Sequence, residues 1–142
     1  DFNSISKVEL YDVLSLRQRV FIIEQDCLYE DLDYSDQDAN HLLLYQDNKL
    51  IGYSRVFPPG IKYDAASIGR IVTDLDYRGK GYGKSITHES IQFLKNNFPE
   101  SDITISAQYR LVDFYENLGF ETEGNVYLED DIDHIKMTLK SK

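Results

Sequence analysis

The segment YRGKGYGKSI, residues 77–86, places glycine at every second position, Gly79, Gly81 and Gly83, and sets Arg78, Lys80 and Lys84 around them. ASIGRIVTD, ahead of it, is an apolar run of strand character. Behind it, Ile86, Ile91, Leu94 and Phe98 recur at helical intervals up to Pro99, which ends the helix because the residue before a proline is driven out of the α region. ITISA at 103–107 then reads as another short strand. Strand, turn, helix and strand in that order predict a parallel pair of strands joined across the helix, and so a mixed α/β domain.

The flanking sequence fits such a domain. Ser6 and Glu9 have capping-box spacing, and Leu10, Val13, Leu14, Val20 and Phe21 carry a helix from about Lys7 to Phe21. VFIIEQDCLYEDLDYSDQDAN loses that period, turns acidic and reads as a loop. HLLLYQ, the turn DNK and LIGYSRVF make a hairpin stopped by Pro58-Pro59-Gly60. Leu111, Phe114, Tyr115 and Leu118 give another helix with Gly119 past its end. HIKMTL, 134–139, alternates as a last strand. The expected order is helix, hairpin, strand, helix, strand, helix, strand, within one domain spanning 1–142.

Composition narrows the function classes. The formal charge of -10 disfavours nucleic acid, whose binding rests on neutralising phosphates. No apolar run approaches the ~20 residues of a membrane span. Cys27 is the single cysteine, so an internal disulfide and a cysteine-rich zinc site are excluded and a cytoplasmic location is expected. Asp31, Asp33, Asp36 and Asp38 suggest calcium, but an EF-hand starting at Asp31 needs glycine where Asp36 stands and glutamate where Leu42 stands. His41, His88 and His134 have no zinc-site spacing, so no metal is expected.

The glycine turn sits where the first N–H groups of a helix lack partners and the helix dipole favours an anion. Glycine lets that backbone adopt positive φ and approach a ligand closely. These are the parts of a phosphate cradle. A Walker A loop is ruled out because Arg78 stands five residues before Gly83 where glycine is required, and the dinucleotide spacing fails at Lys84 or Ile86.

What remains, Arg78-x-x-Gly81-x-Gly83, resembles the pyrophosphate loop of the Gcn5-related N-acetyltransferase (GNAT) family. FYENLGF resembles that family's second signature, a tyrosine on a helix ending in Gly-Phe. The likeness runs from about Leu10 to Leu139. LRQRVFIIEQ, EDLDYSDQDANHLL, the AQ of 107–108 and YLEDDIDHIKM are similar to an ElaA-type subgroup. One departure is the first strand expected before the first helix, barely represented by DFNSI.

The resemblance implies a GNAT-like fold, a mixed central sheet flanked by helices with an acyl-CoA site between two parallel strands. It implies acetyl transfer from acetyl-CoA to a primary amine of a small molecule or peptide, by direct attack in a ternary complex. The turn Arg78, Gly79, Lys80, Gly81, Tyr82, Gly83, Lys84 and Ser85 would hold the pyrophosphate. Ile71, Val72 and Thr73 would hydrogen-bond the pantetheine arm, with an N–H of Ile71 or Val72 facing the thioester oxygen. Tyr115 matches the family's proton donor to the leaving thiolate, with Tyr109 a weaker candidate. For the general base, Glu24, His41, Asp131 and His134 are candidates and Glu24 is preferred. Gln108, His41 and His134 are expected on the acceptor side. The acidic stretches YEDLDYSDQD and EDDID would favour a cationic acceptor. The family includes monomers and homodimers. A rival reading from another class is a non-catalytic acetyl-CoA sensor, which has no need of a proton donor at Tyr115.

Overall fold

The structure, a computed structural model, describes residues Asp1–Lys142. Helix α1 spans Lys7–Arg17, opened by the reciprocal capping box of Ser6 and Glu9. The backbone stays helical over Gln18–Glu24, beyond the Phe21 end expected from spacing. There it widens: Gln25 N–H donates to Val20 O and Cys27 N–H to Ile22 O, five residues back. Such wide turns are frequent at functional sites.

Strands β1 (Asn40–Gln46) and β2 (Lys49–Phe57) form the expected hairpin. Asp47 and Asn48, at φ 50° and 64°, make a two-residue turn of the type that matches strand twist. Strand β3 (Ala66–Thr73), helix α2 (Tyr82–Asn97), strand β4 (Ile103–Gln108) and helix α3 (Val112–Glu116) follow. Strands β5 (Glu121–Glu129) and β6 (Ile132–Leu139) complete one six-stranded sheet, ordered β1-β2-β3-β4-β6-β5. The pair β3–β4 is parallel and the other neighbours are antiparallel.

Strand β5 was not expected from the sequence. ETEGNVYLE shows no alternation of burial because nearly every residue is exposed at the sheet edge. Its conformation comes from pairing with β6, a non-local partnership. At the other end, Phe2–Ser4 forms a short turn of helix ahead of α1, where the resemblance predicts a strand.

Two apolar clusters hold the layers. Val13, Leu16 and Val20 pack on Leu50, Tyr53 and Val72. Helix α2 buries Ile91 and Leu94 with Ile68, Ile103, Ile105, Phe120 and Met137, each side chain worth about 1.5–3 kcal/mol when fully removed from water. Gly52 lets α2 sit close: a Cβ there would lie 2.2 Å from Ile86 Cδ1. The hydroxyls of Ser54 and Ser90 meet at 2.6 Å in the same interface, so neither is left unsatisfied.

Candidate active site

The parallel strands stay paired only at Ala66–Ile103 and Ser67–Thr104. The cause lies in β3. Its register against β2 slips between the pairs Tyr53–Val72 and Arg55–Gly69, which puts one extra residue on β3. Arg70 takes φ 50° at that point. A bulge of this kind bends a strand and ends pairing. Asp74 N–H donates to Ile51 O on β2, so by alternation the backbone groups of Thr73 and Ile71 face the gap that β4 has left. Two clefts open there, and Phe21, Gln25, Ile71, Gln108, Leu111 and Tyr115 line both.

The larger cleft, about 460 Å³, ends at the glycine turn. Gly81 precedes α2 with φ 84°, and no side chain caps the helix. The first intrahelical bond runs from Ser85 N–H to Gly81 O, so the amides of Tyr82, Gly83 and Lys84 have no intrahelical acceptor. Gly79 has φ 77°. No atom lies within 4 Å of a Cβ built on Gly79 or Gly81, so glycine is needed there for conformation rather than space. A bare, uncapped helix start walled by glycine fits a diphosphate.

Some expected contacts differ. The Arg78 guanidinium is occupied by the Glu24 carboxylate and by Thr73 O. Lys80 sits over the Tyr77 ring, 5.6 Å from its centroid. The Ser85 amide is already bonded within the helix. Lys80 and Ser85 are absent from the cleft wall, whereas Arg78, Lys84 and Arg110 belong to it. Sequence reasoning missed Arg110; its one signal is a cation two residues past the end of β4.

Tyr115 stands at the junction of the clefts because of how α3 ends. Gly119, at φ 98°, donates its N–H to Glu116 O, and Phe120 N–H reaches back to Tyr115 O. This left-handed closure turns Phe120 into the core, where its ring meets Tyr115 edge-on at 5.9 Å. Tyr115 is 7% exposed, and burial pushes its phenol up to about 12. It therefore stays protonated at neutral pH. No protein hydrogen bond engages its hydroxyl, so the proton is free to be donated. Tyr109 is half-exposed and lines neither cleft.

The smaller cleft, about 140 Å³, lies between β3 and the β5–β6 hairpin. His134 and Gln108 line it, and Gln108 is held between Arg110 and Gln25. His41 does not belong to it. Its ring contacts Tyr53 OH and Asp36 O under β1, and burial lowers its pKa, the mark of a neutral packed histidine. Glu24 borders the larger cleft rather than the smaller one, and two Arg78 nitrogens donate to its carboxylate. Asp131 accepts from Tyr29 OH at 2.7 Å and is absent from the wall.

The acidic loop is also spent differently than expected. Asp31 is bonded by Arg17 and Arg70, Asp33 by Arg55, and Asp36 by Arg17 and Arg55. Arg17 is fully buried. Burial raises the Asp33 and Asp36 carboxyls, but the guanidinium groups outweigh it and hold both below the usual carboxylate range. These acids anchor the loop that walls the smaller cleft, and their charges are already paired. Glu129 and Asp130 of the EDDID stretch do line that cleft, as does Ser106, for which the sequence carries no signal.

Residues 5–141 match the acetyltransferase (GNAT) domain family. A UPF0039 protein of Synechocystis is 39% identical over 98% of this chain and 91% of its own length. Protein ElaA of Escherichia coli is 31% identical over 95% of this chain and 90% of that protein. Among solved structures, an acyl-CoA N-acyltransferase from Pseudomonas aeruginosa superimposes with a TM-score of 0.91 at 34% identity, covering 96% of this chain and 93% of that one. E. coli ElaA superimposes with a TM-score of 0.90 at 30% identity, covering 98% and 95%. With the parallel pair splayed at its bulge and a glycine turn at the mouth of α2, the chain belongs to the GNAT acyltransferase family, in its ElaA-like branch.

Proposed function

We propose that the protein transfers an acetyl group from acetyl-CoA to a primary amine, by direct attack while both are bound. The observation that carries this reading is the Tyr115 hydroxyl, protonated, unengaged and on the wall of both clefts. The donor lies in the larger cleft. The amides ahead of Ser85, with Lys84, hold its diphosphate, and Arg78 joins them once the diphosphate replaces the Glu24 carboxylate. The backbone groups of Ile71 and the N–H of Thr73 pair with the pantetheine arm. An N–H on that edge faces the thioester oxygen and stabilises its developing charge. The name of the P. aeruginosa relative, an acyl-CoA N-acyltransferase, supports the donor class.

The amine enters from the smaller cleft and attacks the carbonyl carbon. Tyr115 gives its proton to the departing sulfur. A protein that merely sensed acetyl-CoA would have no use for a proton donor there or for a second cleft meeting the first. The test is incubation with acetyl-CoA and a panel of primary amines while free thiol is followed. Amine-dependent thiol release is expected. Tight acetyl-CoA binding with no release for any amine would leave the sensor reading.

A further inference from the structure

On the wall of the smaller cleft His134 Nε2 and a Glu129 carboxylate oxygen lie 3.4 Å apart, and in the neutral ring both are hydrogen-bond acceptors. His134, on β6, is 6% exposed. Its Nδ1 lies 2.7 Å from Ile132 O. A carbonyl only accepts, so Nδ1 carries the hydrogen and Nε2 of the neutral ring presents a lone pair. Nε2 is 3.4 Å from Glu129 Oε2. The other carboxylate oxygen, Oε1, accepts from Ser106 Oγ at 3.1 Å. Having spent its one hydrogen there, Ser106 accepts from Tyr127 OH. The chain from Tyr127 through Ser106 fixes Glu129, and the pairing of Tyr127 opposite His134 fixes the ring beside it. What the pair lacks is a proton donor.

The charges around them point the same way. Glu30, Asp31, Glu129 and Asp130 line the cleft against Arg70 alone. Arg17 and Arg70 neutralise Asp31, which leaves Glu30, Glu129 and Asp130 without a lysine or arginine partner. At about 140 Å³ the cleft is small, below the ~300–1,000 Å³ of drug-sized ligand sites.

We propose that Glu129 and His134 seat the ammonium group of the acceptor, that His134 Nε2 takes its proton, and that the acceptor is a small amine with a second positive charge. This rests on the transferase reading and names its acceptor class and its base. One N–H of the ammonium bonds Nε2 and another bonds Glu129 Oε2. The proton on Nε2 then leaves the amine nitrogen a lone pair, and Glu129 stabilises the imidazolium. A C–N bond forms and the C–S bond breaks. Tyr115 supplies the proton on sulfur and regains one from the nitrogen through water. His134 releases its own to solvent. The balance is ammonium plus acyl-CoA giving amide, thiol and one proton.

The test begins without the donor. Long-range heteronuclear spectra of the histidine rings are recorded at about pH 8, where the neutral ring predominates at an ordinary histidine, during titration with diaminobutane and with butylamine. The His134 Nε2 signal is expected to move and saturate, more tightly for diaminobutane. Glu129→Gln, at an exposed position that leaves folding intact, should weaken that binding about tenfold, since a charge-assisted bond is replaced by a neutral one. In turnover, His134→Gln should lower kcat on the order of 10²-fold while calorimetric acetyl-CoA affinity holds. Glu129→Gln should act mainly on KM, more for the diamine than for the monoamine. A ring signal that no amine moves, a shift unchanged in Glu129→Gln, or an imidazolium that persists with and without amine would overturn the proposal. The two readings fail separately. A shifted ring with no thiol release removes the transferase and keeps the ammonium seat; thiol release with an unmoved ring and indifferent variants does the reverse.

Discussion

The two clefts that meet at Tyr115 are built from different materials. The larger cleft, proposed for the donor, is largely a backbone site. Its end wall is a contiguous stretch in which Gly79 and Gly81 adopt left-handed conformations and the amides at the mouth of α2 stay uncapped. The smaller cleft, proposed for the acceptor, is a side-chain site, assembled from the loop near Asp31, the bulge of β3, the end of β4 and the β5–β6 hairpin. Arginines from α1, β2 and β3 hold its first part in place. A diphosphate needs a conformation, which a short local sequence supplies. A particular amine needs charges and lone pairs at set positions, and those come from remote segments held by tertiary contacts.

The sharpest way to break the division is at the shared residue. Tyr115→Phe should lower turnover on the order of 10²–10⁴-fold, the usual contribution of a general acid, with acetyl-CoA affinity by calorimetry unchanged. Undiminished turnover would take the phenol out of the chemistry. Next comes the acceptor side alone. Arg17→Met breaks two buried ion pairs and should cost about 3–5 kcal/mol in denaturant titrations, weakening amine binding more than acetyl-CoA binding. Equal losses on both sides would mean that the clefts are not separately supported.

Acid should act on the same network. The folded values of Asp33 and Asp36 are depressed below the ordinary 3.8, so their stabilisation is present above that value and is lost as pH falls through the folded ones. The melting temperature should therefore drop on acidification below about pH 4, and Arg17→Met should flatten that drop. An unchanged slope in the variant would separate the network from acid stability.

The donor side gives smaller effects. Gly81→Ala meets no neighbouring atom, so it costs only the left-handed strain, about 1–2 kcal/mol. Acetyl-CoA should bind about tenfold more weakly, with the His134 response to diaminobutane intact. A change on the amine side would join the two regions. Smallest is Glu24→Gln, which releases Arg78. An exposed pair is worth about 0.2–1 kcal/mol, so acetyl-CoA should bind up to about fivefold more tightly. Weaker binding would show that Glu24 assists the donor rather than competing with it.

The sequence alone determined the parts governed by a few adjacent residues: the Ser6–Glu9 capping box, the Asp47–Asn48 turn, the glycine mouth of α2 and the Gly119 closure behind Tyr115. Each is a local backbone preference, and with the strand–turn–helix–strand order they made the β1–β2 hairpin, the parallel pair β3–β4 and the glycine mouth of α2 legible. Tertiary structure decided the rest. It made a strand of the exposed segment Glu121–Glu129 and set Glu24 against Arg78. It tied the acids of the loop to Arg17, Arg55 and Arg70, packed His41 away and turned His134 into the cleft. Strand pairing and charge pairing depend on which distant residues are brought within a few ångströms, and spacing along a chain holds no record of that until the chain has folded.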